Sequence, residues 1–320
     1  SIAIVLAFLG FSYWSLAWQQ IVYIAVLNLG RYWFTPWHPS FHFTFEPVKR
    51  MFGFSVKVLI TNIINTVSNN ILTLVFGRLY PIKAVGDFTQ AYKWDSMANS
   101  FVANAIGQVA QPVLASVHEE RGRAVRVFRK MMRFTAFFSF PAMFGLAIVS
   151  REFILVTIGK QWVDAIPLLQ MLCIGGAFVP FYTVYQNVAL GNGRSDVYMR
   201  CNVMQIVLQI GIIALFYQYG INKMVMAYTL FIIAWLMVWQ FAAHRIIGVR
   251  FSAVMKDVLP SLLVASGVMT ATYFATCLIA SPALLLAVRI VIAALLYAGT
   301  AKLLRMEMME EVVKWVERRK

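Results

Sequence analysis

The chain has 320 residues, 61% of them hydrophobic and only 13% charged, with a mean hydropathy of +0.72. Soluble domains average about 45–50% apolar and about 25% charged residues, so a water-soluble class is excluded, and the length holds about ten membrane spans with no room for a sizeable soluble domain. The net charge of +15 does not by itself point to nucleic acid, because membrane proteins gather Lys and Arg on their cytoplasmic side.

Taken in order, the predicted spans are 1–11, 13–33, 53–77, 85–115, 131–158, 165–190, 199–218, 224–247, 258–280 and 283–303. The first is cut short: Ser1 already lies in an apolar run, with no basic region or small-residue cleavage site. The expectation is a C-terminal part of a longer protein. His38 and His42 sit in a Pro-broken aromatic loop, WHPSFH, read as a plain loop. Cys173, Cys201 and Cys277 lie in apolar stretches and are odd in number, so they read as core residues and not as disulfides. From Arg305 to Lys320 the pattern is an amphipathic helix that can rest on a membrane surface.

The charges test this span count. If the spans alternate, the loops near 31–57, 117–133, 192–200, 243–256 and 302–320 share one side and hold most of the 28 Lys and Arg. The other side holds Arg78, Lys83, Arg151, Lys160 and Lys223, while Lys93 and Arg289 fall inside predicted helices. The heavy side is therefore the cytoplasmic one, with the C-terminus inside, and scattered basic loops need no nucleic-acid partner. The densest of them contains Arg121, Arg123, Arg126, Arg129 and Lys130. It reads either as plain positive-inside bias or as a seat for anionic lipid head groups.

One predicted helix departs from the oily pattern. Gln90, Lys93, Ser96, Ser100, Asn104, Gln108 and Gln111 fall within about 120° of one another on a helical projection. Asp95 and Asn99 lie off this stripe. The preceding span repeats the pattern with Asn62, Asn65 and Asn69 on one face, and a later one carries Pro180, Tyr182, Tyr185, Gln186 and Asn187. Polar side chains at membrane depth face either a bundle interior, as interhelical glue, or a watered cavity. The density of the stripe favours a cavity for a polar substrate. Lys93 is the cation of that stripe, or a lysine that snorkels to the surface. No paired acids, nucleophile with histidine, Gly-rich phosphate loop or metal motif is found, so no catalytic residue, metal or cofactor is expected.

Residues 159–200, GKQWVDAIPLLQMLCIGGAFVPFYTVYQNVALGNGRSDVYMR, resemble the second half of bacterial polysaccharide-export flippases of the Wzx type, in the multidrug/oligosaccharidyl-lipid/polysaccharide exporter superfamily. VGDFTQAYKW and IGQVAQPVLAS (85–116) and GFSYWSLAWQQ (10–20) are similar to further segments of that family. The resemblance implies an all-α integral membrane protein of two six-helix lobes plus an extra pair, with the first four helices missing here. Residues 1–36 would be the last two helices of the first lobe, 45–247 the second lobe, 254–303 the extra pair and 304–320 a cytoplasmic tail. It further implies alternating access in a bacterial cytoplasmic membrane, carrying a polyprenyl-diphosphate-linked oligosaccharide from inner to outer leaflet for surface polysaccharide assembly. Lys93, Ser100, Asn104, Gln108, Gln111, Asn62, Asn65, Asn69, Tyr185 and Gln186 would line its cavity. Membrane lipid, a coupling ion, a glycan polymerase and glycosyltransferases are the partners so implied. The rival readings are a drug/cation antiporter of the same superfamily, a lipid II flippase and a membrane enzyme of glycan assembly.

Overall fold

A computed structural model describes residues 14–34, 45–116, 121–277, 279 and 281–310. Among these every regular element is helical. They are α1 (Trp14–Phe34), α2 (Glu46–Leu79), α3 (Ile82–Ser116), α4 (Arg121–Thr157), α5 (Ala165–Gly176), α6 (Val179–Gly191), α7 (Ser195–Phe216), α8 (Ile221–Ile247), α9 (Phe251–Ala275) and α10 (Pro282–Leu303). The chain forms two compact units, residues 1–52 and 53–320; α1 belongs to the first, and α2 runs across the boundary.

Among the described residues six stretches are long and apolar enough to cross a membrane: Gly122–Thr157, Ala165–Gly191, Ser195–Tyr219, Ile221–Ile247, Phe251–Ala275 and Pro282–Leu303. Helices α1, α2 and α3 have the length to span, at 21, 34 and 35 residues; polar side chains dilute the hydropathy of α2 and α3. The chain is an all-α integral membrane protein.

Two expectations change. The basic stretch expected as a loop at 117–133 is, from Arg121, the opening of α4. Its residues are helix-compatible. Ala124, Phe128 and Met132, four residues apart, are buried, while Arg123, Arg126 and Lys130 are exposed, so the turns are amphipathic. The span expected at 165–190 stands as Ala165–Gly191 but is broken inside into two helices. α5 ends at Gly176, Phe178 donates to the Gly175 carbonyl at 2.9 Å, and Pro180 sits in the first turn of α6, where its missing N–H is harmless. Buried Ser139 on α4 holds this joint by donating to the Ala177 carbonyl at 2.7 Å.

In the second unit α3 packs against α4, α5 and α6, and α8 against α5, α6 and α7, while α9 and α10 pack on α4. The core is aromatic and tightly packed, with Trp239, Phe128 and Phe140 among its fully buried side chains. Ion pairs fasten α9 and α10 to α4 at both ends. Asp257 accepts from Arg129 Nε and Nη2 at 2.6 and 3.0 Å and from Arg133 Nη1 at 2.9 Å. Near the far end, buried Arg289 of α10 donates to Glu152 at 2.8 Å, to Thr276 at 3.0 Å and to the Ile148 carbonyl at 3.0 Å. Cys173 and Cys201 are buried as expected, whereas Cys277, expected in the core, is exposed just past the end of α9.

Candidate functional site

Inside the second unit, α3, α5, α6, α7 and α8 line a partly open cavity of about 330 Å3. α3 contributes Tyr92, Asp95, Ser96 and Asn99; α5 contributes Leu172, Gly175 and Gly176; α6 adds Val179, Tyr182, Thr183 and Gln186. α7 supplies Asn202, Gln205, Ile206 and Gln209, and α8 supplies Tyr228, Thr229 and Ile232. The spacings explain these faces: 92, 95, 96 and 99 recur at helical period, as do 202, 205 and 209.

Several polar groups are already engaged with one another. Gln186 Nε2 donates to Asn202 Oδ1 at 3.2 Å, Asn202 Nδ2 donates to the Tyr198 carbonyl at 2.7 Å, and the Tyr198 hydroxyl donates to Asn62 Oδ1 at 3.1 Å. The Tyr182 hydroxyl is tied to the Ile232 carbonyl at 2.6 Å and Thr229 to the Met171 carbonyl at 3.2 Å. These bonds fix the walls, as buried polar networks must be satisfied to be tolerated. Asp95 is the exception. It is 5% exposed, its Oδ1 has no hydrogen-bond partner, and its Oδ2 meets Asn99 Nδ2 only at 3.4 Å.

Of the residues expected at a substrate cavity, Gln186 lines this one. Lys93, Asn104, Gln108 and Asn62 are exposed on the surface of the second unit, with Ser100 half-buried beside them. Lys93 Nζ lies over the Trp94 ring at 5.9 Å from its centre. Tyr185 is placed in the core, its hydroxyl donating to Gln240 Oε1 at 2.8 Å and its ring beside Phe128. The side chains of Asn65, Asn69 and Gln111 lie outside the described residues, as does that of Arg121. Of the expected lipid-binding cations, Arg129 is engaged by Asp257, while Arg123, Arg126 and Lys130 are exposed.

α3 therefore carries two polar faces, the exposed stripe through Lys93 and the buried one through Asp95. A third face, with Ala98, Phe101 and Val102, borders an apolar groove of about 700 Å3 against α4 and α10. The sequence reading set Asp95 and Asn99 off its widest stripe, and the α7 amides carried no stripe of their own, so none was assigned to a cavity.

Residues 1–167 match the family described as Polysaccharide biosynthesis protein, just over half of the chain. The chain belongs to that family. Among relatives of this polysaccharide biosynthesis protein, "Teichuronic acid biosynthesis protein TuaB" of Bacillus subtilis is 30% identical over 50% of the chain and 33% of the relative. "Succinoglycan biosynthesis transport protein ExoT" of Rhizobium meliloti is 29% identical over 57% of the chain and 37% of the relative. The matches thus cover little more than a third of these relatives' length. A solved structure, "Lipid II flippase MurJ, inward closed conformation", superposes with a TM-score of 0.66 at 16% identity, over 84% of the chain and 57% of MurJ. That likeness is one of fold. The chain is a multi-pass membrane protein whose fold is like that of MurJ.

Proposed function

We propose that the protein moves a polyprenyl-diphosphate-linked oligosaccharide from the inner to the outer leaflet of a bacterial cytoplasmic membrane, by alternating access. The observation that carries this reading is the exposed stripe of α3. Lys93, Asn104 and Gln108 stand exposed on a helix of 35 residues in a membrane-spanning bundle. Facing lipid, each would be strongly disfavoured; facing a watered path, each is a recognition group. Amides suit sugar hydroxyls, and Lys93 suits a diphosphate through charge-assisted hydrogen bonds. Membership of a polysaccharide family and a flippase fold support the same substrate class. The flipped product would be consumed outside by a glycan polymerase, after glycosyltransferases build it inside. The basic loops set the orientation, with the C-terminus cytoplasmic.

The test is surface polysaccharide production in cells whose own transporter is replaced by the intact protein. Lys93→Ala should lower production about tenfold or more, the worth of a hydrogen bond to a charged group, with unchanged membrane insertion. Lys93→Arg should retain most of it. Full production by Lys93→Ala would remove Lys93 from the path. A drug/cation antiporter is the rival with support on the page, in the buried Asp95; drug efflux by the intact protein without polysaccharide export would favour it.

A further inference from the structure

The N-terminal turns of α3, α5 and α8 meet at another cavity, of about 440 Å3, which shares no residue with the one that holds Asp95. Asp87 of α3 lines it, is 3% exposed, and has no hydrogen-bond partner at Oδ1. Lys83 stands four residues earlier on the same helix, the spacing of an ion pair. It turns instead to Asp164, at 2.5 Å, and both of those side chains are exposed. Asp164 is free to meet it for a local reason. It is the N-cap of α5, yet its side chain makes no capping bond. A cap would use the N–H groups of the second or third helical residue. Ile166 donates to the Val163 carbonyl at 3.1 Å, and Pro167 has no N–H.

The cavity therefore gathers two carboxylates and one ammonium, and Asp164 and Lys83 are the charges close enough to act on Asp87. The positive ends of the three helices ease the surplus but give Asp87 Oδ1 no donor. A buried charge is tolerated when it is paired or holds a metal. We infer that this cavity binds a divalent cation of calcium's kind, with Asp87 and Asp164 as its charged ligands and the Asn222 amide oxygen and water completing the shell. On binding, Asp164 exchanges Lys83 for the ion. Two carboxylates then balance two charges, and the exposed ammonium moves into water. Among the described residues no group of three His, Cys, Asp or Glu suited to a metal occurs, which disfavours zinc. Calcium differs in taking amide and water oxygens in a flexible shell, where magnesium demands a near-ideal octahedron. The bound ion would staple the starts of α3, α5 and α8. With only two acids, its affinity should lie at about 0.1–1 mM. The inference goes beyond the oligosaccharide reading and does not depend on it, because the Lys93 stripe contributes nothing to this cavity.

The test is thermal unfolding of the full chain in detergent, titrated with calcium chloride against sodium chloride at equal ionic strength. Calcium should raise the midpoint by mass action, and sodium should not. Asp87→Asn, of nearly the same shape, should abolish the response. Without calcium it should unfold no lower than the parent, since an uncompensated buried charge is gone. Asp164→Asn should weaken the apparent calcium affinity about tenfold or more, as ligand charge sets it. Lys83→Met removes the competitor for Asp164 and should tighten calcium binding. A midpoint indifferent to calcium, an equal response to sodium, or an unchanged calcium response in Asp87→Asn overturns the proposal. Weaker calcium binding in Lys83→Met overturns it as well. So does a midpoint that follows pH alone and loses that dependence in Asp87→Asn, which leaves a proton as the occupant. If Asp87→Asn is not recovered folded, unchanged calcium affinity in both Asp164→Asn and Lys83→Met is decisive against it.

Discussion

Gly176 has no space for a side chain. A Cβ there would strike the Asp95 carboxylate and come within 2.6 Å of Met143 Cε. The terminal methyl of Met143 can swing aside, but the buried carboxylate has to leave its place beside Gly176 and turn toward the cavity. Gly176→Ala should therefore destabilise the protein by about 1–3 kcal/mol, the usual penalty of overpacking, seen as a lower unfolding midpoint in detergent. Gly267→Ala, which meets nothing within 4 Å, is the control and should leave the midpoint unchanged or raised, since alanine suits a helix better. Equal losses in both would show that the close approach at Gly176 does not matter. This scale was the least legible in the sequence. Periodicity marked Lys93, Asn104 and Gln108 as one face but could not tell an exposed face from a buried one. Asp95 and Asn99 are four residues apart on a narrower face whose importance comes from α7 across the cavity. That pairing of helices distant in sequence is a tertiary fact.

At the scale of elements, hydropathy located the apolar helices of the described residues, because lipid forces every backbone group into helical hydrogen bonds, although α2 and α9 each begin seven residues before the expected starts at 53 and 258. It missed one helix start and one break within a span, for identifiable reasons. The opening of α4 is too basic to count as a span, yet nothing in it breaks a helix. The joint between α5 and α6 is apolar on both sides, so hydropathy runs straight through it; Gly175, Gly176 and Pro180 were the visible signs. The fastening of α10 to α4 gives a direct test. Arg289 and Glu152 are 4% and 6% exposed. Removing one partner strands the other, so Arg289→Ala should cost about 3–5 kcal/mol, while the paired change Arg289→Met with Glu152→Met should recover most of that loss. Measured unfolding free energies that simply add across the two sites would contradict a coupled pair.

For the whole molecule, charge asymmetry carries the orientation and Cys277 reports on it. It is the exposed cysteine of the described residues, and Cys173 and Cys201 are buried. In the proposed orientation, with the basic loops inside, the turn after α9 would face outward. A membrane-impermeant maleimide should therefore label intact spheroplasts at Cys277, and Cys277→Ser should abolish the labelling. Labelling that requires permeabilised cells would invert the orientation.

The Arg289–Glu152 contact also bears on how the protein is made. α10 is the most hydropathic of the spanning helices, at a mean of 2.1, yet it carries an arginine within it. Such a residue costs about 2.5–3.5 kcal/mol on entering lipid unaccompanied. Its acidic partner belongs to α4, synthesised some 137 residues earlier. The nascent chain must keep α4 beside the insertion site, with its Glu152 uncovered, until α10 emerges. Insertion of α10 would then be a docking step, in which the helix leaves the translocon directly onto α4 and its arginine never meets bare hydrocarbon.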